Sequence, residues 1–440
     1  MDPALIGAAS IVLLLVLLAG GLHVALALVL ASACGLAAIV GVEPALHLVG
    51  STFAAYGSGY TLSVVPLFIS MGLLASDIDA GSRVYDALVA WIGRIPGALG
   101  LATIGGCTLF GAVTGSSIAT AAVFARISAP EMIRHGYDRR TAYGLVASSG
   151  AIGMMIPPSI LAIVYAALAE VPVGAVLLAG LGPGLILAAC LGATVVGLAL
   201  LRPSLVPAHA ARATWREKLS SLRYLGSPAL VAGIVIGGIY SGVFTATEAA
   251  AVGNFVFLAL FALRAGLGRR GRARLVAIGM ETAKLSAVIF AIFGAAQLFA
   301  RLMVLSGISE GMIDAAIGAA PSALALAIGA AALYVVLGCF IDSLAMLVVT
   351  VPLLLPVSRA IGVDLVWLGV VLILASQVGL VTPPMGMNLY VVKGIAGPDV
   401  GIGDVVRGAL PFFVATLVAL AIVIAWPDAS LWIPRARLAN

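Results

Sequence analysis

Two short polar segments interrupt long apolar stretches, and they contain residues suited to hold a small solute or an ion. Residues 97–114 are apolar and break at Gly115–Ser117, and residues 321–340 break in the same way at Ile341–Ser343. Non-helical backbone inside a membrane is tolerated only where it is buried in protein or lines a cavity. The two breaks are therefore predicted to be the tips of re-entrant hairpins, where hydroxyls, carbonyls and amides meet a ligand.

A second pair of interruptions lies further along, and each contains a double proline. Ser148–Gly153 precede Pro157–Ser159, and Gln377–Gly379 precede the segment Thr382–Asn388. A proline removes an amide donor and clashes with the preceding turn, so a double proline in mid-membrane unwinds a helix. The unwound carbonyls and nearby side-chain oxygens suit a hard cation such as sodium, and half-helix amino termini suit an anion.

Two overlapping sets of candidate ligands follow from these four segments. The candidate cation-binding residues are Ser116, Ser117, Thr120, Ser149, Gly153, Asp342, Ser343, Gln377, Gly379, Thr382 and Asn388. The candidate substrate-binding residues are Gly115, Ser116, Pro157, Pro158, Ser159, Asp342, Ser343, Pro383, Pro384 and Gly386.

Two carboxylates call for separate interpretation. A carboxylate in the hydrocarbon centre costs about 2.5–3.5 kcal/mol on insertion scales, so Asp342 must face a cavity or a partner. Structural pairing of Asp342 with a backbone or side-chain donor is the alternative role. Glu248 follows Thr245 at a predicted tight turn between two helices, where Thr and Glu cap a helix start, so we expect it to be structural.

The elements around these segments are predicted to be membrane helices. Of the 440 residues, 62% are hydrophobic and 9% charged, against about 25% charged in a soluble domain. Many apolar runs reach the length of about 20 residues that a spanning helix needs. The sequence contains no P-loop, kinase-like or metalloprotease motif, and its cysteines and histidines are scattered singly. We therefore expect no enzyme, no transition-metal site, no disulfide and no nucleic-acid partner.

The sequence also contains an internal repeat at an offset of 226 positions. Ser117 falls on Ser343, Asp138 on Asp364, and the double proline at 157–158 on that at 383–384. The repeats run from 56 to 200, with a cytoplasm-facing hairpin, and from 282 to 426, with a periplasm-facing hairpin. Residues 1–55 and 201–281 are predicted to be scaffold helices with basic cytoplasmic loops, and residues 427–440 a C-terminal tail.

Charge predicts the orientation of the repeats. The arginine-rich stretches 126–140, 202–223 and 264–274 belong on the cytoplasmic side. Five predicted crossings then separate corresponding points of the two repeats, and an odd number makes the repeats inverted. Inverted repeats with discontinuous helices are typical of secondary transporters. The fold class predicted from these features is an all-α polytopic membrane protein with two inverted repeats, re-entrant hairpins and broken helices.

At these segments the sequence resembles the large membrane subunit of TRAP transporters, the tripartite ATP-independent periplasmic family, over essentially the whole chain. The matching motifs are Gly115–Thr120 (GSSIAT), Pro130–Met132 with Gly136–Asp138, Gly153–Ile160 (GMMIPPSI), Gly242–Ala250 (GVFTATEAA), Ile341–Ala345 (IDSLA) and Thr382–Asn388 (TPPMGMN). The sequence departs from many relatives at Thr120, where they place an Asp, and at Ser376-Gln377, where an Asn is common.

The resemblance implies a sodium-driven importer of a small organic anion, usually a carboxylate, in the bacterial inner membrane. It also implies an elevator-type ion-transporter fold with an elevator mechanism, and no cofactor besides Na⁺. It also implies two partners, a small four-helix membrane subunit and a periplasmic substrate-binding protein. A one-component sodium/carboxylate symporter of similar architecture is the alternative. A channel would need a continuous pore-lining polar stripe or a charged ring, and the sequence shows neither.

The topology can be tested with single cysteines in a background that lacks the native four. Cysteines placed in the 202–223 and 264–274 loops should be labelled by an impermeant thiol reagent from the cytoplasmic side only. A cysteine in the 306–320 segment should be labelled from the periplasmic side. Labelling of all three from one side would contradict the inverted repeats.

Overall fold

The chain is helical throughout the part that the computed structural model describes, which is residues 2–438 except 58, 79, 94, 208–213, 267, 320–321 and 384–385. In chain order the helices are α1 (Pro3–Ala19), α2 (Val24–Val40), α3 (Val42–Gly57), α4 (Val64–Asp77), α5 (Ala80–Ile92), α6 (Ala98–Thr114), α7 (Ser117–Arg134), α8 (Arg139–Gly150), α9 (Ile160–Ala169), α10 (Val173–Ala179), α11 (Leu181–Leu201), α12 (Trp215–Tyr240), α13 (Ala246–Ala265), α14 (Arg269–Leu305), α15 (Ile308–Ala319), α16 (Ala323–Leu337), α17 (Ser343–Ala360), α18 (Leu365–Leu380), α19 (Met387–Ala396), α20 (Ile402–Ala425) and α21 (Asp428–Leu438). The predicted all-α class is confirmed.

Several helices are long and apolar enough to cross a membrane. Among the described residues five qualify, or six if the bent pair of α4 and α5 is counted as one span. Shorter apolar helices of 10–17 residues, such as α6, α9, α16 and α18, come next to the predicted breaks. Such short helices are expected where spans are discontinuous, because each break lies partway through the bilayer.

The two halves of the chain repeat the same order of helices. The 18-residue helices α7 and α17 begin at Ser117 and Ser343, and α8 and α18 follow Asp138 and Asp364, which both cap them through side-chain oxygens. The pattern continues upstream of the predicted repeats. At the same offset α2 corresponds to α13, and α4 to the later part of α14. Accordingly, α2 packs against α14 and α13 packs against α4. In the second half the equivalents of α3 and α4 form one 37-residue helix, α14. The predicted domain boundaries themselves stay a prediction.

Contacts between helix ends define two faces of the molecule. At the first, the Asp138 N–H donates to the Leu205 carbonyl at 3.0 Å, and Arg140 pairs with Asp404 at 2.8 Å. At the second, the Tyr165 hydroxyl donates to the Leu365 carbonyl at 2.5 Å. Helix α8 begins at the first set of contacts and its equivalent α18 at the second, as the predicted inverted repeats require. We call the first the basic face, because the arginine-rich segments adjoin it, and the second the opposite face.

Close packing depends on glycines where helices cross. A Cβ on Gly144 of α8 would collide with the backbone of Gly408 in α20, and a Cβ on Gly338 would meet the Cα of Gly379 at 2.6 Å. In lipid, helices associate through van der Waals contact rather than through the hydrophobic effect, so small residues at crossings are what allows close approach. The broken helices are thereby held tightly against the rest of the molecule.

This packing predicts a sharp difference between two glycine substitutions. Gly144→Ala places a methyl group into the α20 backbone, which cannot move aside like a flexible side chain, and should cost at least the 1–3 kcal/mol typical of overpacking. Gly197→Ala, on α11 with nothing within 4 Å, should be neutral or stabilising by up to about 1 kcal/mol. Melting temperatures in detergent give the comparison, and equal effects of the two changes would contradict the packing described.

Candidate functional site

The first hairpin tip lies where α6 ends and α7 begins. Gly115 follows Thr114 with φ 60°, a left-handed conformation that favours glycine. Ser116 caps α7, because its Oγ accepts a hydrogen bond from the Ala119 N–H at 3.3 Å. A Cβ on Gly115 would collide with the carbonyl oxygen of Pro158, so the tip lies directly on the double proline of the broken helix. The predicted hairpin break is confirmed.

The second hairpin tip occupies the equivalent place between α16 and α17. Asp342 caps α17, with Oδ1 accepting from the Leu344 N–H at 2.8 Å and Oδ2 from the Ala345 N–H at 3.3 Å. The backbone thus supplies the pairing that a half-buried carboxylate in a membrane requires. This is the alternative role considered for Asp342, and capping leaves lone pairs on both carboxylate oxygens for a second partner. Asp342 and Ser116 both cap the helix that follows them, but only Asp342 is a carboxylate.

The first broken helix is unwound around its double proline. Helix α8 gives way to a 3₁₀ turn at Ala151–Met154, and regular helix resumes only at Ile160. Pro157 and Pro158 are buried in the non-helical stretch. Ser159 caps α9, since its Oγ accepts from the Ala162 N–H at 3.3 Å.

The same break lies against the first hairpin tip. A Cβ on Gly153 would lie 2.7 Å from the Thr120 Oγ1 and 3.1 Å from the Ser116 carbonyl oxygen. The Thr120 hydroxyl already donates to that carbonyl at 2.7 Å. Tip and break therefore form one site, in which the Thr120 oxygen keeps only its acceptor capacity for a further ligand.

The second broken helix is arranged in a similar way. Helix α18 ends at Leu380 and α19 begins after Gly386, while the Thr382 hydroxyl donates to the Val378 carbonyl at 2.6 Å. Gly379 packs against Gly338 of the second tip, and its carbonyl accepts from the Thr382 N–H at 3.0 Å. Pro383 is half-buried, and Pro384 lies outside the described residues.

Oxygen atoms without hydrogen-bond partners are concentrated at these breaks. Within the described residues, five of the candidate cation ligands have a buried side-chain oxygen that no hydrogen bond satisfies: Ser117, Ser149, Ser343, Gln377 and Asn388. An unsatisfied buried polar group costs about 1–3 kcal/mol, and such groups in a native protein call for an explanation. Their concentration at the predicted sites leaves these oxygens available to a ligand.

The two amides among these residues are oriented by their nitrogen atoms. The Asn388 Nδ2 donates to the Ala147 carbonyl at 3.2 Å, and the Gln377 Nε2 donates to the Ser376 Oγ at 3.1 Å. In each case the nitrogen is satisfied and the oxygen is left free. Amide oxygens that are free in this way can coordinate a hard cation.

Residues from the break of one half contact the break of the other half. These residues are far apart in the sequence, so the sequence does not reveal the contacts. Asn388 follows the second double proline, yet its amide lies on α8 of the first half, 241 positions earlier. Gln377 of α18 contacts the Met154 sulfur in the 3₁₀ turn of the first half at 3.5 Å. Helix α19 packs on α7 and α8, and α9 packs on α17 and α18.

Two further residues belong to the site although they were not among the predicted ligands. Ser148, next to Ser149, has a buried hydroxyl without a hydrogen-bond partner among the described residues. Met154 supplies the sulfur against which Gln377 rests. Ser148 could have been predicted as a ligand because it stands next to Ser149 in the sequence. Met154 is apolar, so nothing in the sequence indicated that it belongs to the site.

A cavity adjoins the first tip. It measures about 200 Å³ and lies between Thr114, Ser116 and Ile160 of the site and the helices α4 and α14. Pockets for drug-sized ligands usually measure about 300–1,000 Å³, so this one fits only a small solute.

The described residues hold no group of three or more His, Cys, Asp or Glu side chains that could bind a metal ion. Glu248 forms a reciprocal capping box with Thr245 at the start of α13, which confirms its structural role.

Comparison with known proteins places this architecture among transporters. A family model described as the tripartite ATP-independent periplasmic transporter, DctM component, matches residues 11–429. The C4-dicarboxylate TRAP transporter large permease protein DctM of Pseudomonas aeruginosa is 34% identical over 379 residues, which cover 85% of this chain and 86% of the relative. The sialic acid TRAP transporter large permease protein SiaM of Vibrio cholerae is 33% identical, with 85% and 86% covered. The ectoine TRAP transporter large permease protein TeaC of Halomonas elongata is 32% identical, with the same coverage.

Solved structures agree at the level of the fold. The YdaH transporter of Alcanivorax borkumensis superposes with a TM-score of 0.61 at 14% identity, covering 90% of this chain and 89% of that one. MtrF of Neisseria gonorrhoeae superposes with a TM-score of 0.57 at 17% identity, covering 89% and 85%. At such identities the likeness concerns the path of the chain alone.

Proposed function

Since the chain belongs to the DctM family of tripartite ATP-independent periplasmic transporter components, we propose that it couples import of a small organic acid to sodium through an elevator movement. The chain is the large permease subunit of a TRAP transporter and a multi-pass inner membrane protein, and its relatives are permeases rather than enzymes. The coupling ion, the substrate class and the movement are inferred from the site.

Sodium is supported above all by the buried oxygens that lack partners. Ser117, Ser149 and Asn388 gather around the first break, and Ser343 and Gln377 belong to the second half. Unwound backbone and side-chain oxygens at discontinuous helices are the environment in which transporters hold Na⁺. The hydroxyl of Thr120 does not supply the charge that an Asp would, so the first site relies on neutral oxygens.

A carboxylate substrate is supported by the helix ends that meet at the breaks. Helices α7, α9 and α17 each begin there behind the caps Ser116, Ser159 and Asp342. The N-terminus of a helix carries about half a positive charge and free N–H donors, which favours anions. Asp342 opposes an anionic substrate unless a cation lies between them, and this geometry links substrate binding to ion binding.

An elevator movement is supported by where the ion pairs lie. Arg274 pairs with Asp77 at 2.6 Å and joins α14 to α4, two helices of the scaffold unit, which we define as α1–α5 and α12–α15. Arg140 with Asp404 joins helices of the hairpin unit, which we define as α6–α11 and α16–α20. These pairs stiffen each unit internally, and the cavity of about 200 Å³ lies between the two units. Rigid-body movement of one unit past the other is how many such transporters alternate access.

The partners that we propose are a small four-helix membrane subunit and a periplasmic substrate-binding protein, which the family has in general. The family match favours this tripartite arrangement over the one-component sodium/carboxylate symporter. The relatives are named for C4-dicarboxylates, sialic acid and ectoine, so the substrate must be identified on the cognate binding protein.

Sodium binding predicts a specific effect on thermal stability. A ligand bound only by the folded state stabilises it by RT ln(1 + [L]/Kd), about 2.7 kcal/mol at a hundredfold excess over Kd. The melting temperature in detergent should therefore be higher in NaCl than in KCl of equal ionic strength. Ser117→Ala and Ser343→Ala should each reduce this sodium-specific increase, because each removes one unsatisfied oxygen.

Ser32→Ala is the matched control for this experiment. Ser32 in α2 is also buried with an unsatisfied hydroxyl, but it lies outside the breaks. The change should leave the difference between sodium and potassium intact. Equal melting of the unaltered protein in the two salts, or an equal loss in the Ser32 variant, would count against sodium at these oxygens.

Asp342 and Asp364 offer a comparison that separates capping from coupling. Both are helix N-caps that accept two backbone hydrogen bonds, and Asn caps a helix about as well as Asp. Asp342→Asn and Asp364→Asn should therefore be similarly stable. Only Asp342→Asn should abolish concentrative uptake or sharply lower sodium affinity, because Asp364 is exposed at the opposite face.

The measurement is sodium-dependent uptake in proteoliposomes with the binding protein and small subunit present, at matched amounts of each variant. Normal uptake by Asp342→Asn, or equal damage from Asp364→Asn, would show that the carboxylate at the second tip is not part of the coupling site.

A further inference from the structure

A second polar cavity lies away from the hairpin tips, towards the opposite face. It measures about 330 Å³ and separates the scaffold helix α14 from the ends of α9 and α17. A neighbouring cavity of about 430 Å³ continues it towards α3 and shares two of its residues, Glu170 and Gln297. Arg359 lies 17 positions along α17 from Asp342, which is about 25 Å at 1.5 Å per residue, so this cavity is distinct from the tips.

Arg359 provides the positive charge of the cavity. Its Nη2 donates to the Ala169 carbonyl at 3.0 Å and lies 3.3 Å from the Glu170 carboxylate. A guanidinium has five N–H donors, so its remaining donors are available to a ligand in the cavity. The side chains of Arg359 and Glu170 are 51% and 69% exposed, and an exposed pair of this kind is easily exchanged.

Gln297 faces the same cavity from the scaffold. It interrupts the apolar stretch Ile292–Phe299 of α14, and within the described part of the chain its amide makes no hydrogen bond. A polar side chain in a membrane-spanning helix faces the interior of the bundle or a cavity, where another group can pair with it. Gln297 lines both cavities, so its amide is open to a ligand there.

The other half of the molecule has different residues at the equivalent positions. The counterparts of Gln297 and Arg359, 226 positions earlier, are Met71 and Ile133. The basic residue in the last turn of α7 is Arg134, which pairs with Glu131 of its own helix and not with the end of another helix.

The backbone at Glu170 is also unusual. Glu170 ends α9 in the left-handed region with φ 56° and ψ 39°, whereas α19 ends at Gly397 with φ 86° and ψ 178°. A glutamate at a position that favours glycine indicates a need for its side chain. The grouping of Gln297, Glu170 and Arg359 therefore has no symmetric copy at the equivalent positions.

We propose that this cavity is an entrance site for the carboxylate of the transported organic acid. The incoming carboxylate takes the place of Glu170 beside Arg359 and accepts a further hydrogen bond from the Gln297 amide. Glu170 returns when the site empties, so the arginine is never left without a counter-charge. The side on which the site lies is the periplasmic one by the charge rule, which fits import. The identity of the anion rests on the proposed function.

Charge-selective labelling of a cysteine in the cavity tests this site without a transport assay. Ala300 lines the cavity from α14, and Ala300→Cys is placed in a background without the four native cysteines. The probes are the anionic sulfonatoethyl and the cationic trimethylammonioethyl methanethiosulfonates. The ratio of anionic to cationic labelling rates should fall about threefold with Arg359→Gln and rise with Glu170→Gln, as expected for one charge at close range.

Acetate and succinate then test for carboxylate binding. Both share the carboxylate, and at millimolar concentration each should slow labelling of Ala300→Cys relative to chloride at equal ionic strength. Gln297→Met introduces the residue found at the equivalent position of the other half. It should raise severalfold the concentration of acetate or succinate needed to slow labelling, while the melting temperature stays unchanged. Ser241→Cys, at the exposed α12–α13 turn, is the control whose labelling should not respond to Arg359→Gln.

A ratio that is insensitive to both charge substitutions, or labelling that neither carboxylate slows, would overturn the entrance site. Because these assays use no sodium gradient and no partner protein, they can fail while sodium-coupled transport succeeds, and the reverse is equally possible.

Discussion

The absence of water in the bilayer is the constraint on which the structure depends. Each break in a helix frees N–H and C=O groups that lipid cannot satisfy. Within the described residues the breaks are covered by other parts of the chain: Gly115 lies on Pro158, Gly153 on Thr120 and Gly338 on Gly379. This packing excludes lipid from the breaks, and several side-chain oxygens beside them have no hydrogen-bond partner. These oxygens are the defined atoms at which a ligand can bind.

Pseudo-symmetry gives two similar sites, and small departures from it give them different tasks. The same cap position is Ser116 in one half, which accepts one backbone hydrogen bond, and Asp342 in the other, which accepts two. A neutral cap presents only the helix end to a ligand, whereas a carboxylate cap also brings a negative charge that favours a nearby cation. At the other end of the equivalent helices α17 and α7, Arg359 contrasts with Ile133, and the arginine of α7 stands one position further on as Arg134. The repeated sequence determines the common arrangement of helices, and the positions at which the two halves differ are candidates for distinct functions.

Local features of the site could be predicted from the sequence, while its long-range grouping could not. Gly115 and the prolines determine the backbone within a few residues of themselves, so both tips and both breaks were placed correctly. The hydrogen bond from Asn388 to the Ala147 carbonyl depends on how α19 packs against α8. No local sequence pattern encodes a contact between residues 241 positions apart. Asp342 was expected to need a partner, but a capping aspartate and a ligand aspartate look alike in sequence. Only the distances to Leu344 and Ala345 show that capping takes place.

Charge balance connects the site to the proposed movement. An isolated charge in a low-dielectric interior is costly, and breaking a buried pair is far worse than burying a complete one. The N–H groups of Leu344 and Ala345 pair with the Asp342 carboxylate without neutralising it, so an anion bound alone adds a second negative charge at this tip. A cation among the unsatisfied oxygens of Ser343, Gln377 and their counterparts compensates the carboxylate, and the helix ends then compensate the substrate. In the proposed mechanism, movement past the scaffold is therefore least costly when ion and substrate are both present, which is what coupling requires.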